Sequence, residues 1–228
     1  MVDNSESPFD ILASAYDAWF EEDGKLVFDI EVRAFQEVLH MLPQPWLEVG
    51  VGSGRFAQAL GIETGIDPST KLLEIAKKRG ITGFIARGEE KFFDVDTFGT
   101  VFLIVTLCFV DSPLAVLREA HRILERSGKV VLGAVLRDSP WGQFYLSKKK
   151  EGHRFYKYAT FYSYQEVLEF LKHTGFTVEK VLSTLFQRPN KVIGMESPQE
   201  DFYPEAGFTI VVAGKIPVGE RSSGERRV

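Results

Sequence analysis

The chain has 228 residues, 44% hydrophobic and 26% charged, which supports one sizeable apolar core and is too apolar for a disordered chain. A formal net charge of −5 with only short, scattered basic clusters argues against a nucleic-acid binder, which carries a basic stripe. The single cysteine, Cys108, excludes an internal disulfide and a cysteine-based zinc site. No apolar run is long enough to span a bilayer, and the polar, acidic residues 1–7 are no signal peptide, so a cytoplasmic protein is expected.

Residues 9–20 and 26–41 read as helices, the second broken by Pro43 and Pro45. Residues 46–49 form a short apolar strand, and 55–60 a helix ended by Gly61. A strand over 64–67 leads to a helix over 69–79 that Gly80 stops. Lys77, Lys78 and Arg79 read as the solvated end of that helix, where cations suit the macrodipole. A third strand covers 82–86. The run 100–107 (TVFLIVTL) is unbroken and β-rich, as expected of a central parallel strand buried on both faces. Ser112 caps and Pro113 opens a helix to about residue 126, and Ser127-Gly128 turns the chain into a strand over 129–136.

Residues 137–162 form an insertion rich in aromatics. Its Lys148-Lys149-Lys150 cluster reads as solvated surface or as the border of an active site. Ser163 and Glu166 make a capping box for a helix to residue 173. A strand over 176–183, a long loop with Pro189, Pro198 and Pro204, and a strand over 207–213 follow. Residues 218–228 read as a disordered tail. This alternation of strands and helices predicts an α/β protein with a mostly parallel sheet covered on both faces.

Between the first strand and its helix lies Glu48-Val49-Gly50-Val51-Gly52-Ser53-Gly54-Arg55. Three alternating glycines let backbone N–H groups approach a nucleotide-like ligand. The dinucleotide fingerprint needs glycine at 55 and meets Arg55; the Gly-Lys-Ser/Thr of a P-loop is absent. Further segments follow in order: Thr64-Gly65-Ile66-Asp67-Pro68-Ser69, Arg87-Gly88-Glu89-Glu90, Thr106-Leu107-Cys108-Phe109-Val110-Asp111, and Glu119-Ala120-His121-Arg122-Ile123-Leu124 with Ser127-Gly128-Lys129. Together they make residues 9–214 similar to the class I S-adenosylmethionine (SAM) methyltransferases, in particular the branch containing the ubiquinone and menaquinone biosynthesis methyltransferases.

The resemblance implies a Rossmann-like three-layer sandwich. Its seven-stranded, mostly parallel sheet would have the order 3-2-1-4-5-7-6 and an antiparallel last strand. It also implies one domain over 1–217, with an N-terminal helical lid over 9–41 and an acceptor-side insertion over 137–162. SAM would be the cofactor. Gly50, Gly52 and Gly54 would line its methionine half, and Glu48 would help hold its amino group. Asp67, followed by Pro68, would accept hydrogen bonds from the ribose hydroxyls, a role that an acid also fills in NAD enzymes. Gly88 and Glu89 would meet the adenine, although Arg87 stands where the family has aspartate, and Lys91-Phe92-Phe93 and Phe98-Gly99 replace two further family elements. Thr106 and Leu107 would face the cofactor beyond strand 4. Tyr16 and Trp19 share a helical face that either closes over SAM or packs on the core.

The methyl group of a sulfonium is already electrophilic, so alignment and exclusion of water supply much of the rate and no dedicated base is required. His153, in the insertion, is the one base candidate, against a plain surface reading. Trp19, Trp141, Tyr145 and Tyr156 are candidate acceptor walls or packing residues. Cys108, His121 and His173 read as structural, His40 as surface, and no metal site is expected. The absence of Pro-Cys and of Asn/Asp-Pro-Pro-Tyr speaks against DNA bases. The expected function is methyl transfer to an O, N, C or S atom of a small molecule. A protein or RNA acceptor, an NAD(P)-dependent oxidoreductase and a non-catalytic nucleoside-binding protein stay open.

Overall fold

Strand β4 (Phe98–Ile104) is buried at every residue, and its side chains divide between two separate cores. Phe102 and Ile104 belong to one, Val101 and Leu103 to the other. A strand apolar on both faces must be covered on both, and this alternation sets the three-layer plan. The computed structural model describes residues 8–22 and 24–216; the expected tail over 218–228 lies outside them.

Strand β1 (Trp46–Val49) pairs in parallel with β2 (Thr64–Asp67) and with β4; β2 pairs in parallel with β3 (Thr82–Ile85), and β4 with β5 (Leu124–Ala134). The final strand, β8 (Phe208–Lys215), lies antiparallel between β5 and β6 (Phe176–Thr184). A two-residue strand, β7 (Gln199–Glu200), adds to the edge, so the sheet has eight strands in the order β3-β2-β1-β4-β5-β8-β6-β7. The expected order is present, and the eighth strand comes from the late loop. Helices α2 (Lys25–Gln36), α3 (Arg55–Leu60) and α4 (Thr70–Lys78) contribute to the first core. Helices α5 (Pro113–Ile123) and α7 (Tyr164–His173) contribute to the second. Among the described residues no helix is long and apolar enough to cross a membrane.

The local signals hold. Ser69, Ser112 and Ser163 accept from the backbone N–H groups of Leu72, Ala115 and Glu166, and Ser163 with Glu166 completes the capping box. Several boundaries differ. Strand β5 begins at Leu124, so Ser127-Gly128 lies inside the strand instead of turning into it; a register shift against β4 between Phe98 and Thr100 accommodates it. The 137–162 segment is itself helical, with α6 (Pro140–Lys150) capped by Ser139 and a 3-10 turn at Tyr156–Tyr158. Helix α2 ends at Gln36, and a 3-10 turn at Leu39–Met41 takes up the rest of the expected helix.

Candidate active site

The glycine turn leaves β1 and enters α3 with Gly50, Gly52 and Gly54 all at positive φ. The three positions are not equivalent. A Cβ on Gly50 would stand 2.6 Å from Thr106, and one on Gly54 would stand 3.0 Å from Ile81. A Cβ on Gly52 would meet only Tyr16 Cε1, at 3.8 Å. Gly50 and Gly54 therefore serve close packing within the protein, and Gly52 marks the floor of the cradle.

Two carboxylates converge beneath that floor. Asp67, at the end of β2, accepts from the backbone N–H of Gly52 at 2.9 Å and of Ser69 at 2.8 Å. Burial pushes its carboxyl up to about 6, while those two hydrogen bonds pull it back. Each oxygen keeps a lone pair for a ligand hydroxyl. Glu48 is buried, and its Oε2 has no hydrogen-bond partner among the described residues. Burial and the neighbouring Asp67 raise its carboxyl well above the usual range, against the backbone N–H of Ala57. An orphaned buried oxygen invites a donor, and the ammonium of a methionine moiety would supply one.

Helix α1 (Pro8–Trp19) closes over this cradle. The Tyr16 ring overlies Gly52, and burial together with Asp67 and Glu48 raises its hydroxyl far above the ordinary range. Asp10 accepts from Ser69 Oγ at 2.6 Å and from the Lys71 backbone N–H. Asp17 accepts from Arg55 Nε and Nη2 and from Arg79 Nη2, and Arg79 Nη1 also donates to the Ser53 carbonyl at 2.8 Å. Arg79 is thus turned inward, correcting its reading as part of a solvated helix end. Lys77 and Lys78 remain exposed.

The family model for a methyltransferase domain matches residues 47–132, which contain the cradle. An uncharacterised protein of Methanocaldococcus jannaschii is 38% identical over 208 residues, covering 91% of this chain and 98% of its own. The crystal structure of a Thermotoga maritima SAM-dependent methyltransferase, described as a possible histamine N-methyltransferase, superposes with a TM-score of 0.84. It is 33% identical and covers 91% of this chain and 98% of its own. The chain belongs to the SAM-dependent methyltransferase family. A demethylmenaquinone methyltransferase of the same Thermotoga is 30% identical over 110 residues, 44% of this chain and 47% of that one, in keeping with the branch resemblance.

Other expected cofactor residues of the methyltransferase have internal partners. Glu89 Oε1 accepts from the backbone N–H groups of Asp111 and Ser112, so it caps the approach to α5, and Arg87 pairs with Asp111. Gly88 packs against Val49 and Val116, leaving its backbone as the part that could meet adenine. Thr106 Oγ1 donates to the Val49 and Ile104 carbonyls, tying the ends of β1 and β4 together beside Gly50. Leu107 is buried in the second core, and Pro68 is exposed.

On the acceptor side, an aromatic column runs from His153 through Tyr156 and Tyr145 to Phe161, with centroid separations of 4.6, 4.2 and 6.2 Å. The His153 imidazole, pushed down by burial and by Arg154 and Lys148, receives the Phe155 N–H on Nδ1. The column reaches α1 through Phe155, which lies 5.6 Å from Tyr16 and 6.2 Å from Phe9. Two further expected acceptor walls, Trp19 and Trp141, pack closely on glycines. Trp19 lies over Gly24, at the turn between α1 and α2. Trp141 lies over Gly207, and its Nε1 donates to the Gln187 carbonyl at 2.7 Å. Both indoles fill close contacts with backbone where a glycine has left room. Lys149 donates to the Ala159 carbonyl and Lys148 pairs with Glu151, which gives both ordinary structural partners. Burial pushes the Cys108 thiol up to about 12, which suits a core cysteine.

The sequence reading missed Asp10, Asp17 and Glu31. The signal for Glu31 was present: it falls on the apolar stripe of α2, with Val27, Ile30, Ala34 and Phe35.

Proposed function

We propose that this methyltransferase acts on a small organic acceptor, enclosed between α1, the end of β4 and the 137–162 segment. The observation that carries this reading is the closure of α1 over the glycine turn, sealed by the contacts of Phe9 and Tyr16 with Phe155. An acceptor reaching a cradle roofed in this way must itself be small. The description of the Thermotoga relative as a possible histamine N-methyltransferase supports an acceptor on that scale.

On this reading residues 1–217 act as one domain, 9–41 as its lid and 137–162 as its acceptor wall. Bound SAM supplies a sulfonium methyl group open to in-line displacement. Gly52 gives it a floor without a side chain, Glu48 pairs with its amino group and Asp67 holds its ribose. Gly88 offers backbone to its adenine, and Tyr16 excludes water from the reacting side. Tyr145 and Tyr156 wall the acceptor. His153 stands at the mouth of the column as a proton acceptor for those substrates that must lose one. A cytoplasmic site of action accords with a chain whose single cysteine, Cys108, is free.

Transfer of labelled methyl from SAM across a panel of small molecules, peptides and RNA tests the proposal. Label on small molecules alone is expected. Label confined to peptides or RNA would refute it.

A further inference from the structure

The floor and the roof of the cradle touch. A Cβ built on Gly52 would stand 3.8 Å from Tyr16 Cε1. One bond of about 1.5 Å separates Cα from that position, so Gly52 Cα and Tyr16 Cε1 are at most about 5.3 Å apart. A ligand carbon between them needs about 3.5 Å on each side, about 7 Å in all. The ring is also held in place. Phe9, Phe20 and Phe155 surround it at centroid distances of 6.0, 5.4 and 5.6 Å, and close packing on three sides blocks a rotamer change. Room over Gly52 therefore comes from an outward shift of α1 by about 2 Å.

Polar ties oppose that shift at both ends of the helix. Near its start Asp10 accepts from Ser69 Oγ at 2.6 Å and from the Lys71 backbone N–H at 3.1 Å. Near its end Asp17 accepts from Arg55 Nη2 and Arg79 Nη2, each at 2.8 Å. Hydrogen bonds of this length do not survive a further separation of about 2 Å. Both ties reach the cradle itself: Ser69 also donates its backbone N–H to the Asp67 carboxylate, and Arg79 also donates to the Ser53 carbonyl.

Resting on the placement of SAM over Gly52 given above, we infer that α1 is an autoinhibitory plug: the Tyr16 ring occupies space that the methionine moiety must take, and the cofactor binds only when the Asp17 ion pairs break and α1 moves outward. The roof is raised and not removed, so the acceptor stays enclosed. Apparent affinity for the cofactor is then the intrinsic affinity scaled by the fraction of molecules with α1 displaced. Whatever frees α1 tightens binding.

Calorimetry of S-adenosylhomocysteine binding to the full chain tests this. Asp17→Asn leaves every residue facing the cofactor in place and should bind about tenfold tighter than wild type, the worth of one hydrogen bond to a charged group. Tyr16→Ala empties the space directly and should also bind tighter. Hydrogen exchange of the wild-type chain should show α1 amides losing protection when S-adenosylhomocysteine is added. A helix that only closes over bound cofactor gives the opposite signs throughout. Equal or weaker binding in either variant, or α1 protection that rises with ligand, would overturn the plug. Gly52→Ala separates this from the placement of the cofactor. Binding lost there and weakened in Tyr16→Ala would keep the cofactor over Gly52 and remove only the plug; full affinity in Gly52→Ala would remove both.

Discussion

Arg55 Nη2 lies 2.8 Å from Asp17 Oδ2, which joins the residue after the glycine turn to the helix that covers it. Arg79 donates to the same oxygen at 2.8 Å and also reaches the Ser53 carbonyl. Arg55, which excludes the dinucleotide fingerprint, is therefore one half of a latch. The closed position of α1 is held by charge-assisted bonds as well as by apolar contact.

Asp17→Asn should loosen that latch. Burial by itself would raise the Asp17 carboxyl; hydrogen bonds from Arg55 and Arg79 outweigh it and hold the group well below the usual carboxylate range. A depressed folded-state value means that the ion pairs stabilise the protein above the ordinary carboxylate pKa and lose their contribution as pH falls through the folded value. The substitution should cost about 1.5–3 kcal/mol, the range for hydrogen bonds to a charged group. Hydrogen exchange should show α1 amides losing protection ahead of the sheet. Unchanged protection would mean that apolar contacts alone hold α1.

Gly50→Ala and Gly52→Ala should separate the two roles within one turn. At Gly50 the new methyl meets Thr106 at 2.6 Å, at a φ of +74°. Crowding and backbone strain should together cost about 2–4 kcal/mol. At Gly52 the φ is +53° but the methyl finds space, with Tyr16 3.8 Å away. That variant should lose about 1–2 kcal/mol to the backbone, keep its fold, and fail to bind S-adenosylhomocysteine. Melting curves paired with calorimetry distinguish the outcomes; full affinity in Gly52→Ala would place the cofactor elsewhere.

Asp67 makes cofactor affinity sensitive to pH. Burial lifts its carboxyl from 3.8 to about 6, so the free protein binds more protons than its unfolded chain between those values, and Asp67 lowers stability as pH rises through that window. Ribose hydroxyls donate to the ionised form, so affinity for S-adenosylhomocysteine should rise with pH through about 6 and then level off. Asp67→Ala should remove the step and weaken binding by about 1.5–3 kcal/mol. A step that persists in the variant would assign it to another group.

Glu31→Gln should stabilise the ligand-free protein in alkali. The carboxyl is raised from 4.5 to about 8 by burial, so wild-type stability should decline from about pH 4.5 to about 8, where the charged form must be tolerated unpaired. The amide carries no such charge. Chemical denaturation across pH 5–9 should show the two curves diverging upward in pH; parallel curves would mean that the acid is satisfied in the folded state.

Local features of this fold were readable from sequence, and long-range ones were not. The caps at Ser69, Ser112 and Ser163 and the stops at Gly61 and Gly80 are each decided within a few residues. Helix α6 carried the same Ser-Pro opening as α5, at Ser139-Pro140, but its aromatics and lysines gave no clear apolar stripe. The start of β5 was placed late because Leu124 already pairs with Phe98, while residues 125–128, Ser127-Gly128 among them, have no partner on β4 before Lys129 pairs with Thr100. The glycine turn, Asp67 and Tyr16, singled out through the family resemblance, lie together in the fold: Asp67 accepts from Gly52 and Tyr16 lies over it. The Asp17 latch joins residues 38 and 62 positions apart. The indoles of Trp19 and Trp141 found glycines that only the folded chain brings near.

Strand β8 is the last in sequence and lies inside the sheet, with β5 on one side and β6 on the other. Until it inserts, β5 has an open flank and β6 has no bridge to the parallel strands. Chain emerging from the ribosome carries that exposed seam until residues 208–215 have been made, and a stop codon shortly before Phe208 would leave two sheet fragments prone to sticking to their neighbours.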